Sequence, residues 1–451
     1  MKEKMKRPEY AIRLLFGAFT LLALLAAVLT ALLCGEGFSG MLNGLGALCI
    51  RSGQLTKSFF DAGYGGFSGT FLNAALVCAV CLGLYCLQGA KPDGVSVLAF
   101  FLTAGFSFWG ITILSVWFSF AGVALYCLVK KKPLGSQANA CLFTTGLAPL
   151  ITELLTRYPS TDSAAAGALT LHGVLLALAV GLFIGFILPA GLAHSPQMHK
   201  GYDLYSAAVP IGLTAFFLRA LLYKVLTPAP PESAGVGLGD SFPAVSFAFC
   251  GAVFALAIVC GLLLGGGKQY GALLRDSGYG ADYGAKYSPA AGILNFGVYG
   301  VFIVLYYCAV GANWNAVTLG CVFCMVCCCF KGSHPLNVWP IMAGYVIASL
   351  LARLICTYVT AADFTLSLNA QAIVVGLCFA NGLSPVSGRY GWPAGIAFGM
   401  AHYTLVTCVP LLHGGFCLYN GGFTAAFVCF LFVPVLEHFF RTKEQRLEAK
   451  K

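Results

Sequence analysis

The chain has 451 residues, of which 59% are hydrophobic and 9% charged, with a formal net charge of +10. So little charge spread over so much apolar sequence excludes a soluble globular domain. The basic excess sits largely at the two ends without aromatic interleaving, so nucleic-acid binding is not expected.

Arg7 and Arg13, with Lys2, Lys4 and Lys6 before them, precede or open an apolar segment at about 11–34. That segment exceeds the roughly 7–15 apolar residues of a signal peptide, so it reads as a retained span. Further apolar segments follow at about 68–88, 95–109, 111–129, 137–155, 170–192 and 202–223. A polar, Pro-rich connector runs from Pro228 to Phe242 and carries Glu232 and Asp240. The second series falls at about 243–265, 290–310, 315–330, 338–358, 365–383, 390–411 and 417–438. Arg441, Lys443, Arg446, Lys450 and Lys451 close the chain.

Stretches of roughly 17–25 apolar residues match a hydrocarbon layer about 30 Å thick, and inside it the backbone must pair with itself. The expected fold class is an all-α polytopic membrane protein with about 14 transmembrane segments, in the range 12–14. The organisation expected is a first transmembrane repeat at 1–227, the connector at 228–242, a second repeat at 243–440 and a basic cytoplasmic tail at 441–451.

The repeat itself is legible. Shifted by 222 positions, Leu72 meets Leu294, Asn73 meets Asn295, Tyr85 meets Tyr307, Gly89 meets Gly311, Trp117 meets Trp339 and Gly122 meets Gly344. Apolar bias aligns Leu with Leu, but it rarely aligns Asn and Trp in one register when the chain holds five Trp. Two later blocks also recur. Phe143-Thr-Thr-Gly146-Leu147-Ala-Pro149 matches Phe379-Ala-Asn-Gly382-Leu383-Ser-Pro385, and His199-Lys-Gly201-Tyr-Asp-Leu204-Tyr205 matches His413-Gly-Gly415-Phe-Cys-Leu418-Tyr419. Seven crossings per copy is an odd number, which turns the second copy upside down relative to the first; the alternative is that one segment per copy dips in without crossing, at the Gly-Leu-x-Pro blocks where Pro149 and Pro385 interrupt the helix, which makes the copies parallel. The positive-inside rule then puts both termini, Lys130-Lys131-Lys132 and His199-Lys200 in the cytoplasm, with the connector outside.

Chemistry is sought where the spans are interrupted. The third segment of each copy is short and is followed by Gly and polar punctuation: Phe108-Trp-Gly110 in the first, Phe330-Lys-Gly-Ser333-His334-Pro-Leu-Asn337-Val-Trp339 in the second. A helix that ends inside a membrane leaves unpaired backbone groups that hold a solute or ion without a side-chain charge; the alternative is a tight turn between full spans. Asn73 and Asn295 would orient a polar substrate or serve as packing hydrogen bonds. His199 and His413 would relay protons or hold an anion, or cap helices. The candidate substrate-binding set is Asn73, Phe108, Gly110, Asn295, Ser333, His334, Asn337, His199 and His413. Glu153 and Arg157 have the spacing of a local ion pair, and Arg353 is an intramembrane charge. The 20 Cys read as small packing residues, Cys321, Cys324, Cys327, Cys328 and Cys329 included. No nucleotide-binding loop, metalloprotease or nucleophile-elbow motif is present, so no catalytic residue, cofactor or metal is expected.

Through Ser333-His-Pro-Leu-Asn337-Val-Trp-Pro-Ile and His413-Gly-Gly-Phe-Cys-Leu-Tyr419-Asn-Gly-Gly-Phe, the chain resembles a family of bacterial polytopic membrane proteins known only as a domain of unknown function. That resemblance implies a bacterial inner-membrane location and no substrate. Architecturally the chain is similar to inverted seven-plus-seven transporters of nucleobases and anions, whose short third and tenth helices meet at a midplane site. None of their specific motifs is matched, so the likeness is one of fold. The expected function is a secondary transporter of a small polar or anionic solute, working by alternating access; a solute or ion channel and an intramembrane enzyme using His199 or His413 are the alternatives. The expected partners are the lipid bilayer and the solute, and a homo-oligomer stays open.

Overall fold

The computed structural model describes residues 7–51, 58–159, 169–227 and 239–449. Lys2, Lys4, Lys6, most of the Pro228 connector with Glu232, and Lys450 and Lys451 lie outside the described residues.

The described chain is helical. In the first half the helices are α1 (Pro8–Leu33), α2 (Gly37–Ile50), α3 (Gly66–Cys86), α4 (Gly94–Phe106), α5 (Val116–Lys130), α6 (Ala138–Thr144), α7 (Ala148–Thr156), α8 (Leu171–His194), α9 (Pro196–His199) and α10 (Ala208–Ala220). The second half holds α11 (Pro243–Leu263), α12 (Gly267–Leu273), α13 (Tyr283–Lys286), α14 (Pro289–Ala309), α15 (Ala316–Val326), α16 (Pro335–Ile355), α17 (Gln371–Ala380), α18 (Ser384–Tyr390), α19 (Trp392–Val406), α20 (Val409–Leu412), α21 (Asn420–Phe439) and α22 (Lys443–Glu448).

Local chemistry explains many of the starts. Proline occupies the first turn of α1, α11, α14 and α16, where its missing N–H costs no hydrogen bond. The short helices carry matching caps: Asp93 Oδ1 accepts from Ser96 N at 2.9 Å, and Asn315 Oδ1 accepts from Thr318 N at 2.9 Å.

Among the described residues, ten helices are long and apolar enough to cross a membrane. Length accounts for the difference from the expected fourteen: α4, α5, α15 and α19 have 13, 15, 11 and 15 residues. The helix α2, rich in glycine, lies between the expected first and second segments, where no span is expected.

Packing repeats between halves. α1 lies on α3 as α11 lies on α14, and α5 lies on α8 as α16 lies on α19. In the latter pairs glycines let the backbones touch. A Cβ at Gly122 would sit 2.7 Å from the Gly181 carbonyl, and one at Gly344 would sit 2.9 Å from Gly399 Cα. Of an apolar 18-residue window in each of Leu134–Thr156 and Gln371–Tyr390, 94% is buried, against 33% in Pro8–Leu33 and Asn420–Glu448. The former are therefore the centre of the bundle and the latter its outer wall. Where the halves meet, Phe19 packs on Phe249 and Phe323 (centroids 5.7 and 5.0 Å) and Phe101 on Phe296 (4.5 Å).

Candidate functional site

The short helices α4 and α15 lie side by side and run in opposite directions. Gly94, at the start of α4, abuts the Phe330 carbonyl just beyond α15, and Gly105, near the end of α4, faces Gly320, near the start of α15. Between them Cys324 Sγ lies 3.7 Å from the Leu102 carbonyl oxygen. Leu102 and Cys324 are separated by the 222-position offset of the sequence repeat, so positions equivalent in the repeat touch.

The ends of this pair are held by the same means in both halves. Asn73 on α3 donates from Nδ2 to the Ser107 and Ile111 carbonyls (2.8 and 2.9 Å), and its Oδ1 accepts from Ile113 N at 2.9 Å. Asn295 on α14 donates to the Cys329 and Ser333 carbonyls (2.7 and 2.9 Å), and its Oδ1 accepts from the Tyr270 hydroxyl at 3.3 Å. Each amide braces the backbone freed where a short helix stops. The starts are capped from the opposite half: Asp282 Oδ2 accepts from Gly94 N at 2.9 Å, and Ser58 Oγ accepts from Ala316 N at 3.4 Å.

The two recurrent blocks also meet crosswise. Leu204 N donates to the Gly382 carbonyl at 3.1 Å, and Leu418 N donates to the Gly146 carbonyl at 2.9 Å. The motif that ends in Tyr205 docks on the second half's Gly-Leu-x-Pro turn, and the one that ends in Tyr419 docks on the first half's. Glycine is required at both turns, because a Cβ on Gly146 would come within 2.9 Å of the Tyr419 ring and one on Gly382 within 2.5 Å of the Tyr205 ring. We term these contacts the two exchange points.

Their hydrogen bonding differs. The Tyr205 hydroxyl lies 2.7 Å from the Cys324 carbonyl, 3.0 Å from that of Cys378 and 2.8 Å from Asn381 Oδ1. Asn381 Nδ2 in turn donates to the Met325 carbonyl and the Tyr299 hydroxyl (2.6 and 3.0 Å). At the other exchange point Thr145 stands where Asn381 stands, and the Tyr419 ring is flanked by Phe106 and Phe379 at 5.9 and 6.1 Å.

The remaining expected site residues fall into three places. Ser333, His334 and Asn337 form the turn between α15 and α16. There Ser333 Oγ meets Ser384 Oγ at 3.1 Å, His334 Nε2 meets the Asp276 carbonyl at 3.0 Å, and Asn337 Oδ1 accepts from His334 N at 2.9 Å in a capping box. Phe108 is buried against Phe71 and Phe323, and Gly110 turns the chain with φ of 95°. His199 and His413 lie at the two exchange points, apart from Asn73 and Asn295. His199 Nε2 pairs with Ser206 Oγ at 2.9 Å, whereas both His413 ring nitrogens are buried without a partner, beside Phe423 at 5.3 Å. Burial holds the imidazoles of His334 and His413 down at about 4, so both are neutral at physiological pH.

Tyr205, Tyr419, Asn381, Thr145 and Asp203 are not among the expected site residues. The tyrosines carry a signal, since each ends the recurrent His-x-Gly motif. Asn381 and Thr145 carry none, because the copies differ there. Glu153 pairs with Arg157 at 2.6 Å, as their spacing implies. Arg353 shares with Thr357, Asp363 and Ser367 an open polar groove of about 530 Å³, and an apolar groove of about 440 Å³ lies between α1 and α11. Among the described residues no group of three or more His, Cys, Asp or Glu is placed to hold a metal ion.

A family model described as a protein of unknown function (DUF1576) matches residues 38–224 and 267–438. Its two segments fall on the two halves of the bundle. No curated protein and no solved structure matches the chain.

Proposed function

We propose that this chain, which belongs to the DUF1576 family, is a secondary transporter that moves a small polar or anionic solute by alternating access between its two halves. The observation that carries the reading is the pair of exchange points flanking α4 and α15: a two-fold arrangement in which either contact can part while the other holds. Interrupted helices whose C-terminal ends are braced by the Asn73 and Asn295 amides suit such a path.

An inverted fourteen-pass topology is part of the proposal. Arg13 donates to the Ala90 carbonyl, Gly89 packs on Pro133 beside Lys130–Lys132, and Gly94 meets Phe330. Gly278 packs on Gly332, the Tyr279 hydroxyl reaches the Lys200 carbonyl, and Arg446 reaches the Tyr390 carbonyl. These short steps gather both described termini and most of the described lysines at one end of the bundle, which the positive-inside rule assigns to the cytoplasm. Gly414 packs instead on Arg219, at the end of α10. Equivalent motifs at opposite ends, with equivalent helices antiparallel, support inversion. The membrane in this reading is the bacterial cytoplasmic membrane, and the chain does no covalent chemistry. The solute path runs along the α4–α15 crossing, with Thr103, Thr145, Tyr419, Asn381 and Ser333 near it.

The test begins with a thermal-shift screen of the purified protein against metabolites, followed by counterflow of the stabilising compound in proteoliposomes. Saturable exchange is expected. Flux that neither saturates nor exchanges would replace the transporter with a channel.

A further inference from the structure

Asp203 is the one acid within the two docking motifs; the equivalent position of the other copy is Cys417. It lies in the turn between α9 and α10, outside the ten long apolar spans, yet it is 2% exposed. Its Oδ1 accepts from Tyr205 N at 2.9 Å and would meet a Cβ on Gly382 at 2.8 Å, so the carboxyl sits against the turn of the opposite half. Its Oδ2 is buried without a partner. Among the described residues no cation pairs with it. From α9 comes His199, whose Nδ1 accepts from the Gly201 and Asp203 amides (3.2 and 3.4 Å) and whose Nε2 is bound to Ser206. From α21 comes the Cys429 thiol, and the turn between α17 and α18 presents the neutral Asn381 and Gly382. The cations held beside the motif pair elsewhere: Lys200 with Glu437 at 2.5 Å, and Arg389 with the Tyr202 hydroxyl at 2.8 Å.

A carboxylate here has one oxygen with a single backbone donor and another with none, so ionisation in place strands charge in a dry contact. A carboxylic acid is tolerated there. We propose that Asp203 is a proton-binding site that couples protonation to docking of the first half's His199–Tyr205 motif on the second half's Gly382 turn. Protonated, Asp203 lets the motif seat. When the segment lifts and water reaches the carboxyl, the proton leaves to solvent, and the ion resists re-docking. Under the transporter reading, on which this consequence rests, solute movement would be coupled to proton movement.

The sign of the linkage is fixed. Burial pushes the carboxyl up to about 7, from an ordinary value of 3.8. The docked state therefore binds the proton more tightly than the undocked one. Its stability is highest at low pH, declines as pH rises between those values and levels off above about 7. Buried neutral histidines act oppositely, losing stability as pH falls, so the two contributions are separable.

The experiment is thermal unfolding of the full-length protein between pH 5 and 8, comparing wild type with Asp203→Asn and with Asp203→Cys, which copies the residue of the other half. Both variants should gain stability over wild type toward pH 8, and the gap should close toward pH 5. In the unfolding equilibrium it changes by up to about ten-fold per pH unit. A gap that does not vary with pH in either variant would overturn the proton site. This measurement needs no transport, so it stands if counterflow is never observed and the transporter reading falls. If counterflow is observed but an imposed pH gradient leaves it unchanged, the coupling falls and the transporter remains.

Discussion

Replacing Asn73 with leucine is expected to abolish recovery of folded, monodisperse protein. The substitution orphans the Ser107 and Ile111 carbonyls and the Ile113 amide around a fully buried side chain. Each buried polar group left without a partner costs about 1–3 kcal/mol. Three such groups consume most of the roughly 5–15 kcal/mol by which a fold is stable. Asn295→Leu should be severe but milder. It orphans two carbonyls, and the third group it leaves unpaired, the Tyr270 hydroxyl that donates to Asn295 Oδ1, belongs to a half-buried side chain. Size-exclusion profiles and melting temperatures rank the two. Near wild-type stability for Asn73→Leu would show that the short helices are not held by these amides.

The exchange points should respond unequally to removal of one oxygen atom. Tyr205→Phe removes the hydroxyl set among the Cys324 carbonyl, the Cys378 carbonyl and Asn381 Oδ1. A loss of about 1–3 kcal/mol is expected, because those acceptors lie too deep for water to replace the donor. Tyr419→Phe should lie within about 1 kcal/mol of neutral, since the Tyr419 hydroxyl satisfies no comparable set of acceptors. Melting temperatures of the two variants decide the matter, and equal losses would contradict the asymmetry. If the exchange points part in turn during transport, the Tyr205 contact is the one whose opening costs more.

Much of this arrangement is legible in the amino-acid order. The repeat register places Asn73 opposite Asn295, and both brace a chain break at the same sequence distance: 34 and 38 residues ahead in each half. The breaks after Phe108 and Phe330 are legible because glycine and polar residues interrupt apolar runs. Hydropathy, however, reports composition rather than helix length. By composition 95–109 and 315–330 read like the longer segments, and nothing in them announces that α4 and α15 run for only 13 and 11 residues. The helix α2 hides because four of its 14 residues are glycine, which reads as loop. The crosswise docking is out of reach for a different reason. Leu204 and Gly382 are 178 positions apart, and neither periodicity nor internal similarity says which copy of a motif binds which copy of a block. Asp203 and Asn381 escape notice because repetition draws attention to what is shared, and both are places where the copies differ.

Side-specific thiol labelling decides whether the two halves face opposite sides of the membrane. Cys408 is exposed just before α20, and His194, its equivalent 214 positions earlier, is exposed just before α9. With the other exposed cysteines, Cys34, Cys86 and Cys308, changed to serine, a membrane-impermeant maleimide should reach Cys408 from outside the cell. In the same background carrying Cys408→Ser and His194→Cys, it should reach the new thiol only in inside-out vesicles. Labelling of both positions from the same side would contradict an inverted pair and the alternating-access scheme built on it.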